Sequence, residues 1–152
     1  MADLSRFLSA QNEGTPSTFD RALSELKSGR KRSHWIWFVL PQLRCLGRSA
    51  TAIHFGIEDL EEARAYLADP VLRERLERVI AVLAEQLARP DQSLRKLMGK
   101  PIDATKTISS LTLFEAAGLC SATAVLDRVG ERCEATQGVV KPDGLLQLQR
   151  EI

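Results

Sequence analysis

A chain of 152 residues, 44% hydrophobic and 27% charged, is long enough to fill one core without covalent staples and short enough to be a single domain. Its 21 Lys and Arg against 20 Asp and Glu leave a net charge of +1, which argues against a protein that coats nucleic acid or an anionic membrane. No window approaches the roughly 18 apolar residues of a membrane span, and "MADLSRFLSAQNEG" lacks an apolar core of signal-peptide length.

Cys45, Cys120 and Cys133 are odd in number and widely spaced, with no Cys-x-x-Cys or Cys/His pairing. The expectation is therefore no metal, no cofactor and a reducing, cytoplasmic setting.

In chain order, Asp3 precedes a short amphipathic helix with Leu4, Phe7, Leu8 and Gln11. Ser17 or Thr18 caps a second helix carrying Phe19, Ala22, Leu23 and Leu26, and Gly29 stands where a left-handed terminator is wanted. "HWIWFVL" has the aromatic and β-branched content of a strand, but no second strand is there to pair with it. It reads instead as a short helix capped by Ser33 and stopped before Pro41. Asp59 caps "LEEARAYLA".

Asp69 and Pro70 open the clearest helix, in which Leu72, Leu76, Val79, Ile80, Leu83 and Leu87 form one apolar stripe that ends before Pro90. This helix is expected to be central. "DQSLRKLMG" closes at Gly99. "TISSLTLFEAAG" aligns Ile108, Leu111 and Phe114, with Ser109, Ser110 and Thr112 near the helix start, and "SATAVLDRVG" is one more helix. The predicted fold is all-α: a compact, multihelical single domain over 1–152 with about seven helices. From about residue 131 the pattern fades, and that segment is expected to include a mobile tail.

The stretches "LSRFLSAQ", "ALSELKSGRKRSHWIWFVLPQLRCLGRS", "EARAYLADPVLRERL" and "SSLTLF" occur in an order that resembles the DUF1810 family, over about Leu4 to Leu126. The resemblance implies a compact multihelical domain and brings no biochemical activity. Ile36 and Leu111 stand where methionines are common in the family, and "PIDATKTISS" departs from its usual approach to the last motif. The aromatic, glycine-rich ending of the family is not evident in "GERCEATQGVV".

Between Lys27 and Ile57 there is no acidic residue, while Lys27, Arg30, Lys31, Arg32, Arg44 and Arg48 are all basic. Positive side chains beside indole faces suit a phosphate-bearing ligand, although such residues also serve as a solvated helix end. His34 is the side chain of this segment suited to proton transfer near neutral pH, or else a structural imidazole. His54 reads as part of a helix packing surface.

Two residues subtend about 200° on a helix, so Trp35 and Trp37 face different ways, one toward the core and one toward the surface or a cleft. Gln42 can satisfy backbone groups freed by Pro41 or reach a ligand. Ser109, Ser110 and Thr112, at a helix start, can hold an anion or simply cap.

Three readings follow. The leading one is a small anionic ligand, such as a nucleotide, in a cleft lined by Lys31, Ser33, His34, Trp35, Trp37 and Gln42, with Ser109, Ser110 and Thr112 opposite. The second is a protein-interaction module built on an exposed tryptophan and arginines. The third is an enzyme with His34 as acid or base, assisted by Ser33, Ser109 or Ser110.

Overall fold

The computed structural model describes residues 3–140, and the part of the expected mobile tail over 141–152 lies outside the described residues. Ten α-helices form around one continuous apolar cluster: α1 (Ser5–Asn12), α2 (Thr18–Lys27), α3 (Ile36–Val39), α4 (Ala50–His54), α5 (Leu60–Ala68), α6 (Pro70–Leu87), α7 (Leu94–Met98), α8 (Pro101–Ala116), α9 (Cys120–Val129) and α10 (Glu134–Val140). A 3-10 turn, Arg44–Leu46, lies between α3 and α4. The fold is all-α, and no strand forms among the described residues. No helix of the described residues is long and apolar enough to cross a membrane.

The local signals at the helix ends act as their chemistry dictates. Ser17 Oγ accepts the Asp20 amide at 3.1 Å, and Asp59 Oδ1 accepts the Glu62 amide at 2.9 Å. Asp69 Oδ1 takes the amides of Val71 and Leu72, both at 3.0 Å, with Pro70 in the first turn where its missing N–H costs nothing. Gly29 does adopt a left-handed conformation, φ +96°.

The helix count exceeds the expected seven because several elements are only one or two turns long, too short to show a period. α10 is one of these: residues 134–140, where the sequence pattern fades, form a helix packed on α8. Ser33 is not the cap of α3. Trp35 holds that position without a side-chain cap, and the Ser33 hydroxyl is bonded elsewhere.

The largest correction concerns α8. It begins at Pro101, two turns before the apolar run, because proline at the first position starts a helix without needing an amide partner. Ser109, Ser110 and Thr112 are therefore in the helix interior, and an anion site on free amides at a helix start is not available to them.

α6 is a central element as expected, with Leu72, Leu76, Val79, Ile80 and Leu83 all in the core, and α8 is buried more completely still. Residues Thr107 to Phe114 are buried without a break, whereas α6 buries only its stripe and exposes Arg73, Glu74 and Arg78. In a helix buried all round most polar groups are satisfied internally, although Ser110 Oγ is buried without a partner among the described residues. Thr107 Oγ1 donates to the Asp103 carbonyl at 2.8 Å and Thr112 Oγ1 to the Ile108 carbonyl at 2.7 Å, each one turn back. Ser109 Oγ pairs with Thr136 Oγ1 of α10 at 3.1 Å. Around this axis pack α3, α5, α7, α9 and α10, while α6 joins α2, α5 and α9.

Leu111 is fully buried in α8 and Val71 is 44% exposed on α6. Leu111→Ala should lower unfolding free energy by about 2–5 kcal/mol, and Val71→Ala by under about 0.5 kcal/mol, both read by urea denaturation. A loss at Leu111 as small as that at Val71 would refute the central position of α8.

Candidate functional site

The basic segment is held by one carboxylate. Glu25, on α2, accepts the amides of Arg32 at 2.8 Å and Ser33 at 2.9 Å through Oε1, the indole Nε1–H of Trp35 at 2.9 Å, and the Ser33 hydroxyl through Oε2. Partial burial pushes its pKa up, but the hydrogen bonds from Ser33, Trp35 and Arg32 outweigh that and lower it from 4.5 to about 2. These bonds turn the chain after Arg32 inward, so that Trp35 is wholly buried while Trp37 stays half-buried and His34 exposed.

Lys31 is the second anchor. Its amide donates to the Leu97 carbonyl at 2.7 Å, and its Nζ donates to the Ser33 carbonyl at 2.6 Å and lies 3.0 Å from Asp103 Oδ2 on α8. The ammonium also sits 5.0 Å from the Trp35 ring centroid. Both side chains of the ion pair are about nine-tenths buried, so the pair ties the basic segment to the start of α8. Above it opens a cleft of about 280 Å³ rimmed by Arg30, Arg32, His34 and Lys100, with Met98 and Gly99 completing the wall. The His34 ring stacks on Trp37, centroids 6.4 Å apart, and makes no side-chain hydrogen bond to a serine among the described residues.

A second cavity of about 410 Å³ lies one helical turn further along α8. Thr105, Lys106 and Ser109 form its α8 side, and Gln42, Arg48 and Ser49 face them from the loop around α4. Leu46, Ala52 and Ile102 give it an apolar part, and no carboxylate lines it. Lys106 Nζ is 5.3 Å from the Trp37 ring centroid, so Trp37 connects the two cavities through His34 on one side and Lys106 on the other. The Trp37 Nε1–H is buried without an acceptor among the described residues.

The loop wall is positioned by backbone. The Arg44 amide donates to the Ile57 carbonyl at 2.8 Å, and the Ile57 amide to the Gln42 carbonyl at 2.9 Å. Gly56 permits this closure, since a Cβ there would meet the Arg44 Cα at 2.3 Å. Arg6 reinforces it by donating to the Gly56 carbonyl at 2.9 Å and to Glu62 Oε1 at 3.1 Å.

The residues singled out from sequence thus separate into groups. Lys31, Ser33 and Trp35 are bonded into the scaffold. Lys31 and His34 line the first cleft, and Gln42 and Ser109 line the second cavity. Trp37 stands between them. Ser110 and Thr112 are buried in α8, and Thr112 Oγ1 additionally accepts the Cys133 amide at 3.1 Å. His54, expected on a packing surface, ends α4 exposed with its ring edge-on to Phe55.

Glu25 was not picked out, and no local pattern marks it, because its partners lie seven to ten residues away in sequence. Arg48 and Lys106 had a signal, positive charge without nearby acid, but it does not say which cations remain free. Among the described residues neither is in an ion pair.

The chain belongs to the DUF1810 family: the family described as "Protein of unknown function (DUF1810)" matches residues 1–140. It is similar to the conserved hypothetical protein Rv1873 from Mycobacterium tuberculosis, whose crystal structure superposes with a TM-score of 0.79 at 38% identity. That likeness covers 90% of this chain and 94% of the other. No curated protein matches the chain.

Two predictions follow from these anchors. Because the folded pKa of Glu25 lies below its unfolded value of 4.5, its contribution is complete above that value and is lost as pH falls toward about 2. The stability difference between wild type and Glu25→Gln, measured by denaturant titration, should therefore shrink between pH 4.5 and 2. A difference independent of pH across that window would contradict the assignment. For the buried pair, Asp103→Ala should cost about 3–5 kcal/mol by stranding the Lys31 ammonium, and the Lys31→Met, Asp103→Leu double variant should cost less than that single change. Additive losses would show that the two groups do not interact.

Proposed function

We propose that this protein binds a small phosphate- or carboxylate-bearing molecule in the cavity between the α4 loop and α8. The observation that carries the reading is the lining: Arg48 and Lys106 are unopposed by any carboxylate in a space of about 410 Å³, which is the size of a small-molecule site. An anion leaving water needs both charge and hydrogen-bond donors, and the Ser49 hydroxyl and the Gln42 amide supply donors beside the two cations. Leu46, Ala52 and Ile102 suit the non-ionic body of such a ligand.

The chemical class is the one expected from the basic, aromatic segment, but the location is adjacent to it. The first cleft has an acid in its wall, Asp103, already spent on Lys31, so its cations act from the rim. A protein-interaction hot spot would need an exposed indole, and Trp35 is 0% exposed while Trp37 packs beside Lys106. An acid–base role for His34 has no bonded serine to support it. The three free thiols support a reducing, cytoplasmic setting.

The test is a thermal-shift titration with inorganic pyrophosphate and adenosine monophosphate, since a ligand that binds only the native state raises the melting temperature. At least one of the two should raise it, and added salt should weaken the effect. Lys106→Ala should reduce affinity on the order of tenfold with little change in the melting temperature of the free protein. An unaltered shift in an Arg48→Ala, Lys106→Ala double variant, or no shift with either compound, would sink the reading.

A further inference from the structure

We propose that the two cavities are subsites for one elongated dianion, with one negative group at Arg48 and Lys106 and the other at the rim formed by Arg32 and Lys100. The inference rests on the reading of the second cavity given above and specifies its ligand. Its basis is that α8 supplies residues to both spaces. Lys100 and Asp103 line the first and Lys106 and Ser109 the second, on successive turns of one helix.

The first cleft carries four cations against one carboxylate, and Lys31 is already matched to Asp103. Arg30, Arg32 and Lys100 are left exposed and, among the described residues, without an ion-pair partner. Such a cluster repels itself and is relieved by an anion.

Between the subsites stands the half-buried Trp37 indole, a ridge flanked by His34 and Lys106. His34 of the first cleft stacks on Trp37, and Lys106 of the second lies beside the same indole. A ligand spanning them would cross that ridge with a neutral spacer and place charge at either end. Lys100 and Lys106 are six residues apart, which is about 9 Å along an α-helix. A single phosphate cannot reach both clusters, whereas two phosphates joined by a spacer of comparable length can.

The experiment is a calorimetric titration of the intact protein with inorganic phosphate, pyrophosphate and a series of alkanediol bisphosphates of increasing length. Linking two sites raises affinity only when the linker spans them. Affinity should therefore pass through a maximum near a spacer of roughly six carbons, the length matching about 9 Å of helix rise. At that maximum it should exceed pyrophosphate by at least about tenfold. Arg32→Ala, Lys100→Ala, both at exposed positions, should remove the maximum and leave pyrophosphate binding unchanged.

A flat length dependence, or a maximum that survives this double variant, would overturn the two-subsite inference while leaving the single-cavity reading intact. Binding that ignores Lys106→Ala for every compound, or no binding at all, would overturn both. Affinity that keeps rising with single-stranded oligonucleotides beyond two phosphates would also overturn it, in favour of an extended nucleic-acid surface.

Discussion

The position of everything around the candidate site depends on the carboxylate of Glu25. Four donors from Arg32, Ser33 and Trp35 converge on its two oxygens, so one side chain on α2 sets the course of the segment that follows it. Without that anchor, a basic run leading into two tryptophans would have no reason to bury one indole and expose a histidine between them. With it, Trp35 is a core residue whose polar edge is satisfied, and Trp37 is left at the boundary. The Lys31–Asp103 pair then attaches the same segment to α8. A negative group thus organises the most positive part of the chain, and the basic character of the segment serves structure before it serves recognition.

Much of the fold can be read from the sequence because its signals are local. The caps at Ser17, Asp59 and Asp69, the proline at position 70 and the stripe from Leu72 to Leu83 each act within one or two turns. The centre of the fold was harder to read. α8 resembles a modest helix because its buried face carries Thr107, Ser109, Ser110 and Thr112, residue types that usually mark surfaces or caps. The hydroxyls of Thr107 and Thr112 return to carbonyls one turn back and that of Ser109 meets Thr136, which makes them tolerable in the interior, while Ser110 Oγ is buried without a partner among the described residues. Periodicity of apolar residues detects a one-sided helix well and an all-sided one poorly.

The same distinction governs the site. Sequence identifies where cations are dense, as in the acid-free stretch from Lys27 to Ile57. It cannot say which cations are already neutralised. Lys31 meets its partner 72 positions later in the chain, at Asp103, whereas Arg48 and Lys106 meet each other's cavity and no acid. Free charge is a property of tertiary arrangement, so the residues named for binding divided between scaffold and cavity. The Arg132 guanidinium gives a parallel case, since its bonds to Glu115 and Asp127 dock the chain before α10 and hold the adjacent Cys133 at the cavity edge.

The closure of the loop between Gln42 and Ile57 has a kinetic meaning. Two amide bonds at its base, with Leu43 and Ile57 both fully buried, make the segment a drawstring purse whose mouth is on the core and whose belly is the cavity wall. Opening would uncover those two apolar side chains, break the packing of Phe55 on Phe7 and Phe38 and the Arg44–Glu58 pair, and release the Arg6 contact to Gly56. Local opening of this segment would thus be distinct from unfolding of the protein, and the amides of Arg44 and Ile57, which close its base, would exchange with solvent together.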